Sequence, residues 1–252
     1  MSPASAEGWE GGRALGAKTA LLAYAADDPV ESLRRAREYD PAATRALVAA
    51  THPAWEGIAS SDGDLSDGCY PPEGVVYAGS FPGIDILCDR DVMDYPPSEF
   101  PARYLDVAAG RRVILHAMHS VTDTFAYAVW ESGHLVRSLC LSPDNGITEN
   151  IGDPLPFEAP WWAGAHPAGD GYPLPFHPLQ LGGDTALRAF FGFSLAGRQQ
   201  PADIDVESVK LAGFQVPPAN PITQEMLAEF MRTHRRTSYR MGPDGKLIRG
   251  ET

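Results

Sequence analysis

The chain is poor in cysteine, poorer still in usable thiol spacing, and almost without lysine. Cys69, Cys88 and Cys140 are odd in number, and no two stand at zinc-ligand spacing. That excludes a disulfide framework and a cysteine-built zinc site, and a reducing cytosol fits best. Cys88 and Cys140 lie in apolar runs (IDILCD and VRSLCLS) and read as small buried hydrophobes. Lys18, Lys210 and Lys246 are the lysines; every other basic residue is an arginine. No apolar run approaches the ~18 residues of a membrane-spanning helix. Positive charge is scarce overall: 20 Lys and Arg face 33 Asp and Glu, for a net charge of −13 and a pI near 4.9. Nucleic-acid binding needs neutralised phosphates and an anionic membrane surface attracts basic segments, so neither is an expected partner. Residues 232–252 are the exception, with six Lys and Arg against Asp244 and Glu251, and are expected to form a solvated basic tail.

What is present is ordinary globular material. With 44% hydrophobic residues over 252 positions, the chain can bury a core without covalent staples. Arg13 and Lys18 precede TALLAYA, and Ala23-Tyr24-Ala25 has the form of a secretory cleavage site. Glu7 and Glu10 spoil the basic region such a segment needs, so 18–25 reads as a first strand.

Asp28-Pro29 and Asp40-Pro41 each pair an N-cap with proline at the first helical position. They predict helices over about 29–38 and 41–50, the second with Ala43, Leu47 and Ala50 on one face. After a turn-rich span at 60–74, strands are expected at Val75–Ala78 and Ile84–Cys88, and a helix over Ser98–Ala109. Strands Val113–His119, Thr124–Glu131 and Leu135–Leu141 follow, the last two joined by Ser132-Gly133 as a hairpin. Further on, the pattern predicts a short helix at Thr185–Phe191, a strand over 207–216 and an amphipathic helix starting at Asn220-Pro221. Its stripe of Met226, Leu227, Phe230 and Met231 reads as core packing. Antiparallel runs of strands point to an α+β fold, mainly antiparallel sheet with flanking helices. The expected organisation is a flexible 1–16, one globular domain over 17–219, and a helix with a basic tail over 220–252.

Between Ser142 and Asp184 neither helical nor strand periodicity is visible. The segment holds eight prolines and five aromatics, Trp161 and Trp162 among them. Unstructured connections this long are uncommon in compact domains, and disordered linkers are poor in aromatics. It is therefore expected to pack on the body and shape a surface. Trp161, Trp162, Tyr172, Phe176 and His177 are the residues expected near a ligand or protein partner, since Trp and Tyr are favoured at recognition sites. Stapling of the loop to its own domain competes with that reading.

KTALLAYA, YAGSFPGIDILCDRD, the run from RRVILHAMHS through FEAPWWAG, and YPLPFHPLQLG together give the chain a family likeness. It resembles an uncharacterised domain-of-unknown-function family of high-GC Gram-positive bacteria, over about residues 16–216. The resemblance implies a cytosolic bacterial protein and brings no activity, cofactor or catalytic residue.

The chemistry must come from the residues. GGRALGAKT at 11–19 misses the P-loop spacing by one residue and precedes a strand where a P-loop follows one, so no nucleotide site is expected. His116 and His119 in VILHAMHS point to opposite faces if the segment is a strand. Either reads first as a hydrogen-bonded structural histidine, and second as a general acid or base, with Ser120 and Asp123 in reach. Asp144-Asn145-Gly146 signals a turn. Glu149, Asn150, Asp153 and Glu158 form a polar stretch without calcium-loop register. Two readings follow: a non-enzymatic binding module using the 142–184 loop, or a small-molecule, hydrolase-like enzyme pairing His116 or His119 with Glu149 or Glu158. No cofactor and no metal is expected.

Overall fold

The computed structural model describes residues 17–195, 199–217, 238–241 and 247–250. The chain divides into two units, Met1–Pro217 and Pro218–Thr252. The first is built on a nine-stranded antiparallel sheet in the order β2-β9-β3-β4-β1-β5-β6-β7-β8. These strands are β1 (Lys18–Ala25), β2 (Gly63–Asp64), β3 (Val75–Phe81), β4 (Ile84–Cys88), β5 (Arg112–His119), β6 (Thr124–Glu131), β7 (His134–Ser142), β8 (Gly146–Ile151) and β9 (Lys210–Gln215). The α+β reading of the sequence holds.

β1 lies in the middle of the sheet, between β4 and β5. Its sequence KTALLAYA is apolar at nearly every position because both of its faces are covered. Leu21 and Ala23 join one core with Ile86, Ile114, Tyr127 and Leu139. Ala20, Leu22 and Tyr24 join a second core across the sheet, with Leu87, Leu115 and Ala128. The first core is closed by α1 (Pro29–Arg35), α3 (Leu65–Gly68), α7 (Leu187–Phe191) and much of the segment between residues 155 and 181. The second is closed by α2 (Pro41–Thr51), α4 (Ala102–Asp106) and the 3₁₀ turns before α4.

Both Asp-Pro helix starts form as expected. The Asp28 carboxylate accepts from Glu31 N at 2.9 Å, and that of Asp40 from Ala42 N and Ala43 N at 2.8 and 3.0 Å. The buried stripe of α2 differs from the expected one: Thr44, Leu47, Val48 and Thr51 face the sheet, while Ala43 and Ala50 are exposed. The threonines tolerate burial because their hydroxyls donate to helix carbonyls, Thr44 to Asp40 O at 2.7 Å and Thr51 to Leu47 O at 3.0 Å. The helix expected over Ser98–Ala109 is split into a 3₁₀ turn at Pro97–Glu99 and α4. Pro101 has no amide to donate and holds Phe100 in an extended conformation, so no single helix can run through. The β6–β7 hairpin turns on Ser132 and Gly133, both at positive φ (50° and 80°), as a two-residue hairpin requires.

The segment 142–184 is less irregular than its sequence suggests. β8 pairs with β7 along its length and forms one edge of the sheet. Further on, α5 (Ala159–Trp162) and α6 (Pro178–Gln180) are short helical turns, and a π-helical turn at Leu181–Ala186 leads into α7. The pattern GITENI alternates too weakly to announce a strand, and its stability comes from backbone pairing with β7. The amphipathic helix expected after residue 220 lies outside the described residues. In the second unit, β10 (Ser238–Met241) and β11 (Leu247–Gly250) form an antiparallel pair.

Candidate functional site

The expected contact loop is anchored by one buried ion pair. Arg137 on β7 and Glu158 are 1% and 0% exposed, with Arg137 Nη2 to Glu158 Oε2 at 2.5 Å. The Glu158 carboxylate also accepts from the Tyr127 hydroxyl, from Leu155 N at 2.6 Å and from Trp162 Nε1 at 3.0 Å. Arg137 Nη1 donates to Asn150 Oδ1 at 2.7 Å and to the carbonyls of Ile151 and Gly152 at 3.0 and 3.1 Å. Burial works against the Glu158 carboxylate, but the hydrogen bonds from Arg137, Trp162 and Tyr127 hold its pKa below the usual range. Gly152 sits at φ 75°, and a side chain there would collide with Val136 O. A glycine is thus required where the chain leaves β8 to cross the sheet face.

This anchoring decides where the loop aromatics point. Trp161 and Phe176 are buried in the first core, at ring distances of 5.7 Å from one another. Trp162 is half-buried and packs edge-on against Phe176 at 5.0 Å. Tyr172 and His177 are also half-buried and stack at 5.2 Å with 21° between their planes. His177 Nδ1 accepts from Leu179 N at 3.3 Å, capping α6, so its proton sits on Nε2, 3.7 Å from Asp123 Oδ2. The Tyr172 hydroxyl is enclosed with no hydrogen-bond partner. Of the five aromatic and histidine side chains expected at a contact surface, two are therefore structural from below and three reach the outside.

His116 and His119 face opposite sides of the sheet. His116 is fully buried and satisfied: Nε2 donates to Gly182 O at 3.0 Å, and Nδ1 accepts from Thr19 Oγ1 at 2.8 Å. Its carbonyl partner lies in the π-helical turn, where Gly182 presses on the Phe125 ring too closely for any Cβ. Burial lowers the His116 pKa from 6.5 to about 4. A histidine whose folded pKa is depressed contributes stability that is complete above its unfolded pKa and is lost as pH falls toward the folded value. Acidification from pH 7 to 4 is expected to remove about 3 kcal/mol through this group alone. Thermal melts across that range would read it, and His116→Asn should flatten the slope; a wild-type profile level between pH 6.5 and 5 would contradict it.

His119 is partly exposed; its Nδ1 meets Thr122 Oγ1 at 3.4 Å. Ser120 and Asp123 do not join His116, whose two ring nitrogens are taken by Thr19 and Gly182. Glu149 accepts from Ser98 N at 3.1 Å, from the Ser98 hydroxyl, and from Ser138 Oγ at 2.5 Å, tying β8 to the turn at Pro97–Glu99. No hydrogen bond links either histidine to Glu149 or Glu158. Among the described residues, no group of three or more His, Cys, Asp or Glu could hold a metal ion.

Sequence reasoning missed a second buried polar cluster. His52, at the end of α2, places Nε2 3.0 Å from Asp89 Oδ2 and Nδ1 3.0 Å from Thr51 Oγ1. Tyr104 donates to the same Asp89 oxygen at 2.5 Å and accepts from Arg103 at 2.9 Å. His52, Asp89 and Tyr104 are all nearly or fully buried. Nothing in the sequence pairs them, since Asp89 lies 37 residues from His52 and 15 from Tyr104.

These features define an α+β protein whose wide antiparallel sheet is covered on both faces, with a pinned aromatic segment on one of them. Residues 19–214 match a family of unknown function, DUF6928, and the chain belongs to that family. No curated protein and no solved structure matches the chain. No helix among the described residues is long and apolar enough to cross a membrane.

Proposed function

We propose that the protein is a non-enzymatic binding module of the bacterial cytoplasm, taking a small ligand or protein partner on the segment between residues 155 and 181. Trp162, Tyr172 and His177 form the contact, while Trp161 and Phe176 hold their frame from beneath. The reading is carried by the Tyr172–His177 stack beside Asp123, with a tyrosine hydroxyl that lacks a partner. A rigid aromatic surface of this kind loses little side-chain entropy on binding. An acid–base reaction using His116 or His119 with Glu149 or Glu158 draws less support, because neither histidine is hydrogen-bonded to either carboxylate, and His116, Glu149 and Glu158 are engaged by other neighbours.

The test is native mass spectrometry of the protein isolated gently from its own cells, alongside a Tyr172→Ala/His177→Ala variant. The wild type is expected to carry a companion mass that the variant loses. The melting temperature should fall by only a few degrees, since the variant loses the α6 cap and one half-buried ring, about 1–2 kcal/mol, and the protein should still fold. Equal retention by both proteins, or no companion on either, would refute the reading.

A further inference from the structure

Across the sheet from the loop aromatics, three basic side chains converge on one tyrosine ring. Lys18 Nζ lies 5.2 Å from the Tyr70 ring centre, Arg90 Cζ 4.9 Å, and the His119 ring 5.9 Å. Lys18 and His119 are direct cross-strand partners of β1 and β5, so their side chains leave the same face of the sheet. Tyr70 is set beside them by the Cys69 carbonyl, which accepts from Ala20 N at 2.7 Å. Arg90 is set there by Asp89 N, which donates to Ala20 O at 2.9 Å. The arrangement is thus fixed by the backbone of four separate chain segments.

In a chain of net charge −13, no carboxylate among the described residues pairs with this positive cluster. None of Lys18, Arg90 or His119 forms an ion pair among the described residues. Acidic groups on the neighbouring segments are committed elsewhere: Asp89 to His52 and Tyr104, Asp64 to the start of α3 and to Lys210. Asp91 faces Arg103 at 3.9 Å. Like charges placed directly opposite one another on a sheet are unfavourable. Here the cost falls on His119, whose pKa is lowered by burial and by the charges of Lys18 and Arg90. Among the described residues, the His119 ring is bonded only through Nδ1, to Thr122, which leaves Nε2 open.

We propose that Lys18, Arg90, His119 and Tyr70 form a binding site for a phosphate dianion, free or as the terminal group of a monoester. Two fixed cations match the charge of a dianion, and the imidazole and phenol supply uncharged donors from other directions. A tetrahedral oxyanion uses such a divergent set of donors, whereas a planar monocarboxylate would leave one cation uncompensated.

Isothermal titration of the full chain with inorganic phosphate, at ionic strength held constant with sodium chloride, tests this. Saturable one-site binding is expected, weakened about tenfold in Arg90→Ala and in Lys18→Ala by loss of one charge-assisted contact. Arg45→Ala, at an exposed site on α2, should bind like the wild type. Arg90 is exposed, so its variant is expected to fold, which circular dichroism checks. Phenyl phosphate binding more tightly than phosphate would assign the site to a monoester, and equal binding to the free anion. Heat indistinguishable from that of chloride, or unchanged affinity in Arg90→Ala, would overturn the proposal.

Discussion

Glu158→Gln is expected to destabilise the protein by about 3–5 kcal/mol, the usual cost of removing one partner from a buried ion pair. The substitution keeps the shape of the side chain and removes its charge. Arg137 is then left 1% exposed with no counter-charge, and its remaining acceptors are neutral: the Tyr127 hydroxyl and carbonyl and amide oxygens. For a chain of this length the change corresponds to a fall in melting temperature of about 10 °C. The cause is specific and separable. Replacing both partners with apolar residues, as in Arg137→Met/Glu158→Leu, should recover much of the loss, because no isolated charge remains. A Glu158→Gln protein melting within about 2 °C of the wild type would show that the pair is not the anchor described here. Hydrogen exchange would localise the effect: the amide of Leu155, which donates to the Glu158 carboxylate, should lose its protection first.

Asp89→Ala is expected to cost a similar amount by a different route. Asp89 accepts from His52 Nε2, the Tyr104 hydroxyl and Asp91 N, and it is 3% exposed. Truncation leaves two enclosed donors without an acceptor, each worth about 1–3 kcal/mol of lost solvation, on top of the vacated volume. The total is about 3–5 kcal/mol, read as a shift in urea midpoint at unchanged slope. Asp89→Asn keeps one acceptor and should lose less. A loss under about 1 kcal/mol in Asp89→Ala would mean that the cluster tolerates rearrangement. The same carboxylate also sets a pH response. Burial opposes its ionisation, but the hydrogen bonds from His52 and Tyr104 outweigh it and hold the pKa below the ordinary value. Its contribution is therefore complete above the usual carboxylate range and disappears as pH falls through the lowered folded value. The His116 effect begins at higher pH, so acid should weaken the protein in two successive ranges.

The contrast between these clusters explains what the sequence disclosed. β1 and β6 were legible to the residue, because a central strand must be apolar throughout and a hairpin strand alternates between flanking turns. The starts of α1 and α2 were legible because Asp-Pro writes both a cap and a fixed φ into adjacent residues. β8 was not, since an edge strand with few buried side chains is specified mostly by its neighbour. The buried face of α2 was misjudged by one position because threonine, polar in composition, became apolar in effect by bonding to its own helix. In the candidate sites, the residue types were visible but their partners were not. Glu158 stood out as one of several acidic loop residues, while Arg137, 21 residues away, did not announce itself as its counterpart. Lys18, Tyr70, Arg90 and His119 come from four distant stretches that only the sheet brings together.

The central place of β1 has a consequence for how the protein is made. β1 leaves the ribosome long before the strands that flank it, and its second neighbour, β5, ends at His119. At synthesis rates of about 5–20 residues per second that is a delay of about 5–20 s. During that time LLAYA can pair on one side with β4, which ends at Cys88, while its other edge stays open. Long-range pairing of this kind slows folding and leaves apolar strands open to misassociation. The middle of the sheet is therefore complete only when β5 arrives, and until then one edge of β1 is an unpaired template.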